Sequence, residues 1–190
     1  RELFVWGANG NGQLGDGTTV SKSSPVQVGA LITWSAVAQG DRMGLAIKTD
    51  GKLYAWGRGS FGILGQGNTT SYSSPVQVGA LTTWTAEIGA TTHVGAIKSD
   101  GTLWTWGYNA QGQLGDGTTT NRSSPVQVGA LTTWSTIDVG SYHNAAVKTD
   151  GTLWTWGMGY AGALGLGNLT YYSSPVQVGA LITWSAVAQG

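Results

Sequence analysis

A chain of 190 residues with 9 basic and 9 acidic side chains carries no net charge, so a polyanion such as DNA meets no general attraction and nucleic acid is not an expected partner. The absence of Cys excludes a disulfide framework and thiol chemistry, and no apolar run approaches the roughly 20 residues that would span a bilayer as a helix. Charged residues make up 9% of the chain, whereas 32 residues are Gly and 10 are Trp, a usage that suits short strands joined by tight turns.

The segment Ser-Ser-Pro-Val-Gln-Val-Gly-Ala-Leu stands unaltered at Ser23 to Leu31, Ser73 to Leu81, Ser123 to Leu131 and Ser173 to Leu181. A fixed period of 50 residues marks an array in which each unit buries its apolar face against its neighbours. The chain holds about 3.8 such units. It opens on a partial unit, 1–32, beginning just before a third strand at Leu3 to Gly7. Whole units follow at 33–82, 83–132 and 133–182, and 183–190 begins another with a first strand at Trp184 to Gln189.

Within the unit 83–132 four short runs separated by Gly, Asp and Ser predict strands. These are Trp84 to Ile88, His93 to Lys98, Leu103 to Gly107 and Pro125 to Val128. Ser99-Asp100-Gly101 between the second and third is a hairpin signal. Pro cannot donate to a ladder, which makes the fourth strand the outermost. Four antiparallel strands per unit predict an all-β fold, a β-propeller of four-stranded blades. Trp6, Trp56, Trp106 and Trp156 form one column, Trp34, Trp84, Trp134 and Trp184 a second, and Phe4, Tyr54, Trp104 and Trp154 a mixed third. Aromatics filling a column in every unit are expected to pack between blades.

Leu103 to Thr118 (Leu-Trp-Thr-Trp-Gly-Tyr-Asn-Ala-Gln-Gly-Gln-Leu-Gly-Asp-Gly-Thr) and Val139 to Lys148 (Val-Gly-Ser-Tyr-His-Asn-Ala-Ala-Val-Lys) resemble the two signatures of the regulator of chromosome condensation repeat, and the resemblance covers the whole chain. It implies a propeller, typically of seven blades, so the segment is expected to belong to a larger or multi-chain ring. A closed ring of four blades is the third possibility, and Arg1 in place of Met suggests a processed product or a piece of something longer. The founding member of that family is an exchange factor for a small nuclear GTPase. Other relatives are protein-binding modules.

Motifs with chemical promise give way to structural readings. Three G-x-G-x-x-G matches (Gly10 to Gly15, Gly57 to Gly62, Gly157 to Gly162) lack the helix a dinucleotide needs. Gly-Asp-Gly-Thr-Thr at Gly15 and Gly115 hints at a calcium loop, but the matching columns hold Gln66 and Leu166, so Asp is expected to cap a turn. The signature His falls at His93 and His143 while Met43 holds the same column, which predicts a packing or turn residue and no metal site. Glu87 and Asp138 occupy adjacent columns of first strands and so point to opposite faces; one of them is expected in the central channel. No nucleophile and base share a column, and neither an enzyme activity nor a cofactor is expected.

Columns that change between units fall on one side of the predicted blade, where loops after first and third strands project. The candidate binding face comprises Arg42, Arg58, Phe61, Tyr72, His93, Tyr108, Arg122, Tyr142, His143, Tyr160, Tyr171 and Tyr172, and Tyr and Arg recur at interaction hot spots. The expected function is a non-catalytic interaction or structural module that binds protein or glycan through this face, with other blades or copies of the chain as further partners. A bacterial, phage or other extracellular surface is the expected location and the cytoplasm its alternative. The alternative function is guanine-nucleotide exchange on a small GTPase.

Overall fold

A computed structural model describes residues 1–29, 33–80 and 82–188; the side chains of residues 86 and 87, and with them the placement expected for Glu87, lie outside the described residues. Three four-stranded antiparallel sheets follow one another along the chain, each in simple sequential order. The first comprises β3 (Trp34–Gln39), β4 (Met43–Lys48), β5 (Leu53–Gly57) and β6 (Tyr72–Gln77); it is preceded by a two-stranded sheet of β1 (Phe4–Gly7) and β2 (Lys22–Gln27). The second comprises β7 (Trp84–Ala90), β8 (His93–Lys98), β9 (Leu103–Gly107) and β10 (Arg122–Gln127). The third comprises β11 (Trp134–Val139), β12 (His143–Lys148), β13 (Leu153–Gly157) and β14 (Tyr172–Gln177). These are propeller blades, and the molecule is part of a propeller.

Each outer strand begins three residues before its Pro. In β10, Arg122 pairs with Gly107 but Val126 pairs with Thr105, so four steps on one strand match two on the other. Ser123, Ser124 and Pro125 occupy that bulge, which spares Pro125 a ladder bond it cannot donate. Four residues separate the second and third strands, and the Lys98 N–H donating to the Thr102 carbonyl at 3.0 Å closes the hairpin to a three-residue loop. Gly101 donates to the Lys98 carbonyl at 2.9 Å and sits at φ +76°, the turn-plus-left-handed-residue geometry of a three-residue loop. A Cβ there would also stand 2.2 Å from the Thr132 carbonyl oxygen, so Gly is required twice over.

The core lies between sheets. Met43, Leu45, Ile47 and Leu53 pack with Trp84, Val94, Ala96 and Trp106 of the next blade, and Ile97 and Leu103 pack with Trp134, Ile137 and Trp156 of the one after. Trp56, Trp106 and Trp156 are at most 2% exposed. Each donates its indole N–H backwards to the preceding loop, to the carbonyls of Gln13, Ile63 and Gln113 at 2.8–2.9 Å. At the unvarying end the Lys of each second strand lies across two rings. Lys98 Nζ is 3.5 Å from the Trp104 centroid and 5.0 Å from that of Trp84, and Lys148 is set the same way over Trp154 and Trp134. Desolvation lowers the pKa of both amines, the expected cost of packing a cation in this way.

Residues 184–188 form no strand. They nevertheless sit where a next blade would start: Trp184 N–H donates to the Gly151 carbonyl at 3.1 Å, as Trp84 and Trp134 do to Gly51 and Gly101, and Val187 packs on Ala145, Val147 and Leu153.

Candidate functional site

The two ends of the blades are chemically distinct, and the varying columns gather at one of them. The amide of Arg58, just past a third strand, donates to the Arg42 carbonyl in the turn between first and second strands; Tyr108 does the same to Thr92, and Met158 to Tyr142. Turns and long loops therefore share this end of each blade.

Across it the blades are stitched by polar and aromatic contacts. Thr91 Oγ1 donates to the Gly140 carbonyl at 2.6 Å and Thr92 Oγ1 to that of Ser141 at 2.8 Å. The Phe61 ring lies 4.9 Å from that of Tyr108, which lies 6.3 Å from that of Tyr142, so three blades contribute to one aromatic run. Beside Phe61 is a cleft of about 60 Å³ lined also by Asp41, Arg42, Arg58 and Thr92. Arg58 Nε donates to Ser60 Oγ at 2.8 Å, while Arg42 and Asp41 form an exposed pair at 3.5 Å that holds neither charge firmly. Arg42, Arg58, Phe61, Tyr108 and Tyr142 thus form one strip.

The other candidates divide. Tyr72, Arg122 and Tyr172 occupy one column at the start of outer strands, and each is tied within its own loop. Asn68 and Asn168 Nδ2 donate to the two Tyr hydroxyls at 3.3–3.4 Å, and Arg122 Nε meets Asp116 Oδ2 at 2.8 Å. Burial raises the pKa of Asp116, but hydrogen bonds from Thr118 and Arg122 outweigh it and hold the carboxyl below its ordinary value. Tyr160 and Tyr171 are exposed on the last blade, and His143 is half-buried.

His93 has to be removed from the binding face. It is fully buried, its Nε2 is 2.8 Å from Asn144 Oδ1, and Asn144 Nδ2 donates to the Gln113 carbonyl, which leaves the imidazole as the donor to Oδ1. It joins two blades beneath the surface. Desolvation lowers its pKa to about 4.

The loops come in two alternating kinds, a feature the column-by-column reading missed. In the first and third, a fully buried Asn organises the loop: Asn109 Nδ2 donates to the carbonyls of Thr118 and Thr120, and its Oδ1 accepts from Leu114 N, as Asn9 does with Thr18, Val20 and Leu14. Asp16 and Asp116 cap Thr18 and Thr118 in these loops. In the second and fourth, Gly59 and Gly159 replace that Asn, since a Cβ would stand 2.0 Å from the carbonyl oxygens of Thr70 and Thr170. Short 3₁₀ turns, Ser60–Gly62 and Tyr160–Gly162, follow, with Phe61 and Ala161 at φ +61° and +55°. The signal was in the sequence as correlated columns: Asn with Asp and Lys or Arg, Gly with Asn and Tyr.

The left-handed residue belongs to the loop type and not to Phe61 itself. Ala161 is exposed, so Ala161→Gly should relieve its left-handed strain and, after the entropic cost of Gly, stabilise the fold by about 0.5–1 kcal/mol. An unchanged urea midpoint would contradict that assignment.

Models of the "Regulator of chromosome condensation (RCC1) repeat" match residues 2–47, 50–97, 100–147 and 150–190, and a second model of the same repeat matches 34–63 and 134–163. The chain belongs to the RCC1 repeat family. No curated protein matches it. Among solved structures, human WBSCR16 is similar at 25% identity and a TM-score of 0.80, over 94% of this chain and 48% of that one. Prp20p of Saccharomyces cerevisiae, a structure described with its binding to Gsp1p and histones, is similar at 22% identity and a TM-score of 0.82, over 94% and 46%. The yeast protein bound to Kap60 superposes equally well at 21% identity. This RCC1-repeat chain spans about half the length of those structures. Among its described residues no helix is long and apolar enough to cross a membrane.

Proposed function

We propose that the chain is a non-catalytic interaction module that binds a protein partner through the strip Arg42, Arg58, Phe61, Tyr108 and Tyr142. One observation carries this reading: the varying loops of three blades bring two guanidinium groups and three aromatic rings together on one end, whereas the unvarying end is taken up with packing. Aromatic and Arg side chains supply a large share of binding energy at protein interfaces, and their ordering cost is reduced when the rings already touch. Guanidinium beside aromatic surface favours a segment presenting a carboxylate next to apolar side chains. Phe61 adds a preset feature, because its left-handed backbone holds the ring against Tyr108 before any partner arrives.

Selection of a displayed peptide library on the chain should enrich acidic–aromatic or acidic–aliphatic sequences. Their affinity should fall roughly 30-fold in Tyr108→Ser, the loss of one hot-spot side chain of about 2 kcal/mol. Equal binding by the variant would overturn the assignment, and glycan-array binding abolished by the same substitution would replace the protein partner with a glycan. Guanine-nucleotide exchange rests on family membership and the likeness to Prp20p, which shows the fold. Accelerated GDP release from a small nuclear GTPase would decide for it.

A further inference from the structure

The cleft beside Phe61 lies where blade 33–82 meets blade 83–132, and its bottom and rim differ in chemistry. The bottom is apolar: Met43 and Ile63 are 1% and 7% exposed, and the half-exposed Phe61 ring adds an apolar wall. The rim is charged, since Asp41, Arg42 and Arg58 line the cleft and all reach solvent. A bond of 2.9 Å from the Arg58 amide to the Arg42 carbonyl ties the two Arg backbones together. Arg58 Nε is committed to Ser60 Oγ, which sets the guanidinium plane and leaves its two Nη groups, the pair that can grip a carboxylate. The opposite wall is fixed from behind, because the Thr91 and Thr92 hydroxyls donate to the carbonyls of Gly140 and Ser141 on the blade beyond. The guanidinium groups therefore remain as the charged donors of the cleft.

Charge and size narrow what fits. Two guanidinium groups against the Asp41 carboxylate leave one net positive charge, which matches a monoanion such as a carboxylate better than a phosphate dianion. The volume of about 60 Å³ holds about four water-sized groups at about 15 Å³ each, the size of an isobutyl or sec-butyl group and too small for a benzyl group. The order of the entering atoms matters as well. An Asp or Glu side chain would carry its charge foremost onto Met43 and Ile63, where a charge without a partner is costly. The last residue of a chain enters the other way round, with its side chain foremost and its α-carboxylate left at the rim. The combination is particular to this junction: at the next one the matching positions are Thr92, His93, Tyr108 and Gln113, with no guanidinium and with buried polar groups in place of the apolar bottom.

We infer that this cleft binds the free C-terminus of a protein partner whose last residue is Leu or Ile, with the side chain seated on Met43 and Ile63 and the α-carboxylate gripped by Arg58 beside Arg42. The inference rests on the reading of the Arg and Tyr strip as the binding face, and it names the group that enters there. Tyr108 and Tyr142, which continue the aromatic run from Phe61, then offer their rings to the residues that precede the terminus. A chain has one α-carboxylate, so the cleft reads where a partner ends and not only its composition.

The test selects two random peptide libraries on the whole chain, one displayed with a free C-terminus and one with the same random segment fused at both ends. The free-ended library should yield binders that finish in Leu or Ile. Converting the terminal carboxylate of an enriched synthetic peptide to the amide should weaken it about 30-fold, the size expected for losing hydrogen bonds to a charged group. Arg58→Gln should weaken the acid by a similar factor and leave the residual binding of the amide unchanged. Ile63→Ala installs the residue that the other loop of this kind carries at Ala163; with its cooperative melt retained, it should shift the selected last residue from Leu towards Phe. Binders from the doubly fused library alone, or an amide that binds as well as the acid, would overturn the inference. If Tyr108→Ser still weakens those binders, the strip remains the binding face and only its C-terminal ligand is wrong. Absence of binders from both libraries, or binders indifferent to Tyr108→Ser, would overturn both.

Discussion

Replacing Trp106 by Ala should cost about 4 kcal/mol of unfolding free energy, the upper part of the range for truncating a buried aromatic residue. The ring is 0% exposed and packs edge-on to Trp84 at 5.9 Å. It also carries the hydrogen bond to Ile63 that joins two blades, and truncation leaves that carbonyl buried without its donor. Trp106→Phe keeps most of the apolar contact and loses only the donor, so its cost should fall to about 1–2 kcal/mol. Trp6 supplies the control within the molecule. It occupies the same column but is 63% exposed, and Trp6→Ala should change the urea midpoint little. Equal losses at the two positions would refute the view that junctions between blades, and not the Trp residues themselves, hold the fold. Since each blade touches only its neighbours, the Trp106 variant should also broaden the transition.

Much of this architecture is legible in the chain. The expected strands His93 to Lys98 and Leu103 to Gly107 agree with β8 and β9, because a hairpin turn on one side and a run of Gly on the other bound them chemically. The outer strand was placed too late, at Pro125 and not Arg122. A proline read as a strand start is here the middle of a bulge, and bulges depend on cross-strand register that a single segment does not display. The aromatic columns predicted packing correctly at Trp34, Trp56, Trp84, Trp106, Trp134 and Trp156.

The site was legible as a side of the molecule but not as a surface. A column that varies between units need not be exposed, and His93, fully buried, is the instance. Met43 fills the same column at 1% exposure, so a methionine in a varying column was the available sign that this position faces the next blade. Asn144 gives the complementary sign, a polar residue where the other blades have Gly44 and Val94, and the two change together because each satisfies the other. Thr91 and Thr92 lie in a turn whose residues differ between units, yet their bonds to the next blade depend on how blades abut, which no one repeat encodes. Alternation of the Asn and Gly loops was hidden by comparing columns singly. Asn109 makes sense only together with Asp116, Thr118 and Arg122.

The buried imidazole makes stability depend on pH in a defined window. His93 has its pKa lowered by desolvation from 6.5 to about 4, against a hydrogen bond to Asn144 and with a smaller repulsion from His143. The unfolded chain therefore takes up a proton near pH 6.5 that the folded chain refuses until about pH 4. Within that interval the unfolded state binds more protons, and linkage requires stability to fall as the pH falls, by about 1.4 kcal/mol per pH unit once the unfolded imidazole is charged. The total should approach about 3 kcal/mol at pH 4 and then level off, because below that the folded state binds the proton too. Asp16 and Asp116, whose pKa values lie below 3.8 in the folded chain, lose their contribution only as the pH falls through still lower values. Urea titrations between pH 7 and 4 should show the slope in the wild type and nearly none in His93→Met, the residue that blade 33–82 already carries at this position. His143→Asn should keep the slope, since His143 is half-buried and only a minor influence on His93. A slope that survives in His93→Met would place the titrating group elsewhere and return His93 to a merely packed role. One that vanishes would make the link between His93 and Asn144 the acid-sensitive junction of the propeller segment, directly beneath the strip proposed to bind a partner.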